Sequence, residues 1–279
     1  MAFRRSIYKS PEQLAALRAP GRLTADALEA VRSAIRPGIT PLELDAIAET
    51  VIRQGGGIPN FQLVPGYVHT LCVSVNSAVV HGIPGTTPLE PGDIVSVDAG
   101  AEVAGWNGDA AFTVVVPGGA DAALTASRQQ LADVTEGSLW AGIARLARAS
   151  HLNEVGDAVQ GYIEARPGHT GPYGILTDYV GHGIGRTMHE EPPVFNYRVR
   201  QKGPEVKPGL VVAIEPMVVE GSIETVLQDD DWTVSTEDGR DAAHWEHSVA
   251  VHAGGIWVLT APDGGAAGLA PYGITPVAP

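Results

Sequence analysis

The chain repeats one pattern of elements. Two helices followed by strands occur once, and the same order then occurs again. Leu44, Val51 and Ile52 match Val155, Tyr162 and Ile163 at one constant offset. Val80-His81-Gly82-Ile83 resembles Gly181-His182-Gly183-Ile184, and Pro91-Gly92-Asp93-Ile94-Val95-Ser96-Val97-Asp98 resembles Pro208-Gly209-Leu210-Val211-Val212-Ala213-Ile214-Glu215. Asp109-Ala110-Ala111-Phe112-Thr113-Val114 resembles Glu246-His247-Ser248-Val249-Ala250-Val251. Helix and strand patterns recur by chance, but a shared order of four such matches does so far less readily. The expectation is one duplicated domain over residues 1–260, with halves of about 10–120 and 121–260.

Local signals supply the elements. Ser10-Pro11-Glu12-Gln13 starts a helix, with serine as cap, proline in the first turn and Gln13 reaching back. Leu14, Leu17, Leu28, Val31 and Ile35 follow at helical spacing, while Pro20-Gly21 is expected to kink or split that helix. Thr40-Pro41-Leu42-Glu43 starts a second helix that Gly55-Gly56-Gly57 ends. Period-two stretches at Leu71–Val75, Ile94–Asp98, Ala110–Val116, Val211–Val219 and Glu246–Val251 read as strands. Helices are expected at about Asp121–Ala149 and His151–Ala165. The Gly-, Ala- and Pro-rich segment 261–279 reads as a loosely packed C-terminal tail.

The polar members of the repeat carry the chemistry. His81 pairs with His182, Asp98 with Glu215, and Asp109 with Glu246. Each carboxylate adjoins a segment that reads as a buried strand, and burying an ion costs several kcal/mol. Four carboxylates gathered by a pseudo-two-fold axis also repel one another. Arg240, in the loop before Glu246, is the one basic residue near any of them in sequence. Divalent metal is the simplest compensation. Four carboxylates and an imidazole exceed the needs of one tetrahedral zinc and suit two metals sharing carboxylates. Oxygen-rich ligands with a single histidine favour Mn, Fe or Co over an ion that prefers thiolate.

Taken singly, each residue has a plainer reading. A lone strand aspartate usually caps a loop or meets an arginine. His182 between glycines reads as a turn histidine and His189 as a surface one. Cys72 reads as a small buried hydrophobe, and Asp229-Asp230-Asp231 as a solvated loop. His69, His151, His169, His244, His247 and His252 have no partner pattern. The formal charge of −14 argues against a general binder of nucleic acid or anionic membrane. A single cysteine excludes a disulfide framework and a Cys-rich zinc site. Arg4 and Arg5 resemble the start of a targeting signal, but Lys9, Pro11, Glu12 and Gln13 interrupt any apolar stretch after them. A soluble cytoplasmic protein is expected.

As a set, the motifs resemble the type I methionine aminopeptidases. The matching segments are Val80-His81-Gly82-Ile83-Pro84, Asp98 with Asp109, Gly181-His182-Gly183-Ile184-Gly185 with His189-Glu190-Glu191-Pro192, Ile214-Glu215-Pro216-Met217, and Trp232 ahead of Glu246. The resemblance covers roughly residues 5–260. It implies an α+β, pseudo-two-fold "pita-bread" fold, with a curved antiparallel sheet, the site on its concave face and helices behind. It also implies two divalent ions (Co, Mn, Fe or Zn) held by Asp98, Asp109, His182, Glu215 and Glu246, with Asp109 and Glu246 bridging. A hydroxide between the metals would be the nucleophile, and Glu215 would shuttle its proton. His189 would donate to the developing oxyanion, and His81 would contact the peptide near the scissile bond. Phe61, Tyr67, Cys72, Met188 and Trp232 would line the methionine pocket. In this chain Val64 stands where an aromatic is common, Met188 where Phe is common, and Asn107 where His is frequent.

The implied activity is hydrolysis of the initiator methionine from nascent proteins with a small second residue. The implied partners are those N-terminal peptides and the ribosome surface, with no sequence-specific nucleic acid, no membrane and a monomeric enzyme. Prolidase-like and X-Pro aminopeptidases share the fold but usually add an N-terminal domain. The type II methionine enzymes carry an insert that the short spacing from His182 to Glu215 leaves little space for. A non-catalytic peptide-binding module on this fold would lose metal ligands, whereas all five positions are filled here. A plain metal-storage site would not need His81, His189 or an apolar pocket.

Overall fold

A computed structural model describes residues 6–279; Arg4 and Arg5 lie outside the described residues. The first half opens with helices α1 (Pro11–Ala34) and α2 (Pro41–Gln54). Both carry the capping box expected of them, Ser10 with Gln13 and Thr40 with Glu43. Strands β1 (Ile58–Pro59), β2 (Leu71–Val75), β3 (Ala78–Val80), β4 (Ile94–Val103) and β5 (Trp106–Val115) follow. The second half opens with α3 (Ala122–Leu146) and α4 (Asn153–Glu164), followed by β6 (Gly174–Ile175), β7 (Gly181–Gly183) and β8 (Glu190–Val194). It continues with β9 (Val211–Ile214), β10 (Met217–Val219), β11 (Thr225–Leu227), β12 (Val234–Thr236), β13 (Ala242–His244), β14 (Glu246–His252) and β15 (Gly255–Val258).

One nine-stranded antiparallel sheet runs β1-β4-β5-β14-β9-β7-β8, with β2 added at β4 and β15 at β14. The halves meet at the β5–β14 pair. Side chains alternate across each strand, so one face packs on helices. Val97, Ala99, Ala110, Phe112, Val212, Ile214 and Val249 join a single core with residues of all four helices, among them Val31, Leu44, Leu139 and Val159. The opposite face is free to carry polar groups. No described helix is long and apolar enough to cross a membrane.

Three expectations give way. The first helix does not split: α1 is continuous through Pro20. An interior proline costs about 3 kcal/mol. Leu14 and Leu17 before it, and Leu23, Leu28 and Val31 after it, are buried at roughly 1.5–3 kcal/mol each, which outweighs that loss. The proline turn also lies against the sheet. A Cβ on Gly21 would stand 2.6 Å from the Leu259 carbonyl oxygen, and one on Gly108 would stand 2.7 Å from the Gly21 nitrogen. Thr24 Oγ1 donates to Gly108 O at 3.2 Å. This close approach fixes β5 at the residue before Asp109.

The second is the strand expected over Val211–Val219, which is two strands in two sheets. Pro216 has no N–H for a ladder bond, so β9 stops at Ile214 and β10 joins β13 and β6 instead. Glu215 occupies the break, its carbonyl accepting from Asn196 Nδ2 at 3.0 Å.

The third is the tail. Residues 266–269 form a helical turn whose Leu269 is fully buried in the main core. Val277 N–H donates to Ile256 O at 3.0 Å, and Arg148 Nη2 donates to Tyr272 O at 2.8 Å. The small residues permit this packing: Gly268 lies flat against the Trp140 ring. Leu269→Ala is therefore expected to destabilise the chain by about 2–5 kcal/mol in a denaturant titration. A loosely packed tail would show no change.

Candidate metal centre

Strand register gathers the acidic residues. Asp98 on β4 pairs with Ala111 on β5, and Ala111 pairs with Glu246 on β14. The next residue, His247, pairs with Ile214, so Glu246 stands level with Glu215 at the end of β9. Residues in one cross-strand row share a face, and Asp109 lies two positions from Ala111 on that face. All four carboxylates thus project from the face opposite the helical core. His182 arrives on β7, between β8 and β9. Its flanking glycines allow the strand to fit: a Cβ would meet Ala213 O at 2.4 Å from Gly181 and Glu191 O at 2.2 Å from Gly183.

Side-chain donors converge in three overlapping trios, each with its ligand atoms within 4.8 Å of one another. These are Asp98–Asp109–Glu246, His182–Glu215–Glu246 and Asp109–His182–His189. Asp109, His182 and Glu246 each belong to two of these trios, so the three sets of donors adjoin one another. His182 Nε2 stands 3.3 Å from Glu215 Oε1. Asp98 Oδ1, Asp109 Oδ1 and Glu246 Oε1 are buried with no hydrogen-bond partner among the described residues. Each such group costs about 1–3 kcal/mol left as it is, more when charged.

Electrostatics make the same demand. Burial pushes the Asp98 carboxyl up to about 7. Burial and then the neighbouring carboxylates push Asp109, Glu215 and Glu246 well above the usual range. Burial, then the nearby His189, lowers His182 to about 4, so its ring is neutral at pH 7 and offers a lone pair. Clustered oxygen donors without a counter-charge, plus one neutral imidazole, fit two hard or borderline divalent ions.

His189 follows on the β7–β8 loop, its ring edge-to-face with His182 at 4.4 Å. Gly185, Thr187 and Glu190 hold that loop: Thr187 Oγ1 donates to His189 O at 3.0 Å, and Lys9 forms an ion pair with Glu190. His81 follows β3 with φ 59°, in the left-handed region, and its ring meets Tyr179 at 5.6 Å. Such a conformation in a non-glycine residue is sparsely populated and is maintained by its surroundings. Burial lowers the pKa of both His81 and His189.

A cavity of about 480 Å³ opens beside the carboxylates. Phe61, Tyr67 and Cys72 form its buried wall, with Val64, Met188 and Trp232 packed on them. Tyr67 meets Trp232 at 5.0 Å and donates its hydroxyl to Leu71 O at 2.6 Å, so only its ring faces the space. Cys72 pairs with Asp98 across β2 and β4, which joins this wall to the acidic row. The thiol is pushed up by burial, as the reading of a packed hydrophobe implies. Asp230 does more than meet solvent: it accepts from Trp232 N–H at 2.9 Å and Thr233 N–H at 2.7 Å, holding the Trp232 turn.

Among the lining residues outside the motifs are Tyr179 and His244. His244 stands two residues before Glu246, a spacing that strand alternation marks as the same side. Its ring is held neutral, lowered to about 3 by burial and then by His81.

A curled antiparallel sheet carrying a carboxylate-rich centre beside an apolar cavity defines a metallohydrolase. Residues 15–253 match the model of metallopeptidase family M24, and the chain belongs to that family, in its type I methionine aminopeptidase branch. It is 45% identical to methionine aminopeptidase 1 of Mycobacterium tuberculosis over 90% of this chain and 94% of that one. Identity to methionine aminopeptidase 1 of Bacillus subtilis is 41% over 91% and 98%. The crystal structure of a methionine aminopeptidase from Thermotoga maritima superposes with a TM-score of 0.83 at 35% identity, covering 91% of this chain and 98% of that one.

Proposed function

We propose that the chain removes the N-terminal methionine from new proteins and peptides whose second residue is small. One observation carries this reading: a cavity walled by Phe61, Tyr67, Cys72, Met188 and Trp232 opens directly onto the acidic row. Soft, polarizable walls suit a thioether side chain. Asp98, Asp109, His182, Glu215 and Glu246 would hold the two ions, with the carboxylates of Asp109 and Glu246 shared between them, and the convergence of all five donors supports this set. When bound, divalent ions of this kind supply a water acidified toward pH 7 and a Lewis acid for the scissile carbonyl. The oxygen-rich set favours Mn, Fe or Co for that role.

The remaining steps belong to the chain's own side chains. Glu215 takes a proton from the attacking water and passes it to the leaving amine. His189, neutral because burial lowers its pKa, donates an N–H to the carbonyl oxygen as negative charge develops there. His81 stands across the cavity near Tyr179 and orients the peptide nitrogen. The apolar wall seats the methionine side chain and excludes water from it.

A metal-loaded preparation offered Met-Ala-Ser, Ala-Pro and Leu-led peptides tests the assignment. Cleavage of Met-Ala-Ser is expected; cleavage of the Ala-Pro peptide alone would replace this reading with an X-Pro peptidase. His189→Ala is expected to lower kcat by about 10²–10³-fold, the usual loss for one oxyanion donor, with metal content unchanged. Because His189 also lies within one of the ligand trios, loss of metal in that variant would make it a ligand and end its proposed role.

A further inference from the structure

Beyond the five candidate ligands, His81 and His189, another imidazole faces the centre. His244 closes β13 and is only 3% exposed. Its backbone is clamped on both sides. The N–H donates to Ser96 Oγ at 3.2 Å and to Thr113 Oγ1 at 3.0 Å. Thr113 Oγ1 in turn donates to the His244 carbonyl at 2.7 Å. The two hydroxyls are themselves 2.8 Å apart, so a ladder from β4 and β5 holds the backbone that carries this ring.

It points at Glu215. His244 lines the central cavity, and its Nε2 is buried with no hydrogen-bond partner among the described residues. That nitrogen lies 3.8 Å from Glu215 Oε2, while His182 Nε2 lies 3.3 Å from Glu215 Oε1. One carboxylate is therefore bracketed by two imidazoles, one for each oxygen. The distance of 3.8 Å exceeds a hydrogen bond in this structure. Active-site hydrogen bonds are often long until the complete centre assembles.

We infer that His244 is a positioning residue: as the neutral Nε2–H tautomer it donates to Glu215 Oε2 and turns Oε1 toward His182 and the shared centre. His244 touches neither substrate nor metal in this role. Among the described residues, the other contacts that hold Glu215 are His182 at one carboxylate oxygen and Asn196 at the backbone carbonyl. The inference rests on the reading of Glu215 as a ligand and proton carrier.

Full-length variants His244→Gln, His244→Asn and His244→Leu separate the possibilities. Glutamine can place an amide nitrogen where Nε2 lies, asparagine is too short, and leucine fills the volume without a donor. Calorimetric titration of the chelator-treated proteins with Mn²⁺ reads the affinity of the ion held by His182, Glu215 and Glu246. Outer partners of metal ligands are typically worth about 10–100-fold in affinity or activity. His244→Leu and His244→Asn are expected to weaken that ion and lower kcat by about this factor, and His244→Gln to remain within about threefold of the parent. Should His244→Leu fail to fold, the asparagine and glutamine pair carries the comparison. Parental Mn²⁺ affinity in the asparagine or leucine variant, or equal damage in the glutamine variant, overturns the inference. Glu215→Gln in the same titration marks the underlying reading: parental affinity and turnover there overturn both. Loss there with no loss at His244 overturns only the role of His244.

Discussion

Glu215→Gln is expected to lower kcat on a Met-Ala-Ser peptide by about 10²–10⁴-fold, the range that one positioned acid–base group supplies. The substitution keeps shape and the Asn196 contact, which is made to the backbone carbonyl. It removes the ability to carry a proton between the attacking water and the leaving amine. It also removes one negative charge from the His182–Glu215–Glu246 trio, so weaker metal binding accompanies the loss. Kinetics at saturating metal separate the two effects, since added metal restores occupancy but not proton transfer. Turnover within tenfold of the parent at saturation would end the proposed role of Glu215.

Removing metal is expected to destabilise the chain by an amount that grows with pH. Burial raises the Asp98 carboxyl from 3.8 to about 7, and Asp109, Glu215 and Glu246 shift in the same direction. A carboxyl whose folded pKa lies above its unfolded value costs nothing while both states are protonated. The cost grows as pH rises from the unfolded value and levels off above the folded one. For Asp98 that window runs from about 4 to about 7, and the full shift corresponds to about 4 kcal/mol. The buried imidazoles oppose this: His182, His244 and His247 have lowered pKa values, so they stabilise the fold as pH rises through the same window. All three folded values lie at about 4 or below, so these rings are neutral from pH 5 upward in stripped and loaded protein alike, and their contribution cancels in the difference. The gap in Tm between metal-loaded and chelator-treated samples should therefore widen from pH 5 to pH 8. A gap that stays constant, or no change on chelation at pH 7.5, would show that these carboxylates are not neutralised by metal.

The formal charge of −14 acquires a location from this. Four of the acidic side chains sit together on one sheet face rather than in solvent, and that face is built from strands of both halves. Much of this was legible because each member carries a local mark. Asp98 ends a run of apolar strand residues, and His182 sits between glycines. Glu246 repeats the surroundings of Asp109. Both first-half helices announce their starts through a cap, a proline and a reaching side chain. Pro20 misled because its local cost is outweighed by burial on either side, which no neighbour in sequence reports. The tail misled for the same reason: Leu269 is an ordinary residue in a weak segment until the core receives it.

The division between sequence and structure follows the range of the interactions. Period-two alternation is a property of a few consecutive residues, so the sequence alone determined which side chains share a face of each strand, and the duplication determined that the two halves would offer equivalent carboxylates. Register between distant strands is not local. That Asp98, Ala111 and Glu246 fall in one row, that the break at Pro216 brings Glu215 level with them, and that His244, its backbone held by the Ser96 and Thr113 hydroxyls, stands 3.8 Å from Glu215 were decided only by tertiary structure. A shift of one residue in any of these pairings would send the carboxylates into the helical core, and the cost of burying them there is what selects the register observed.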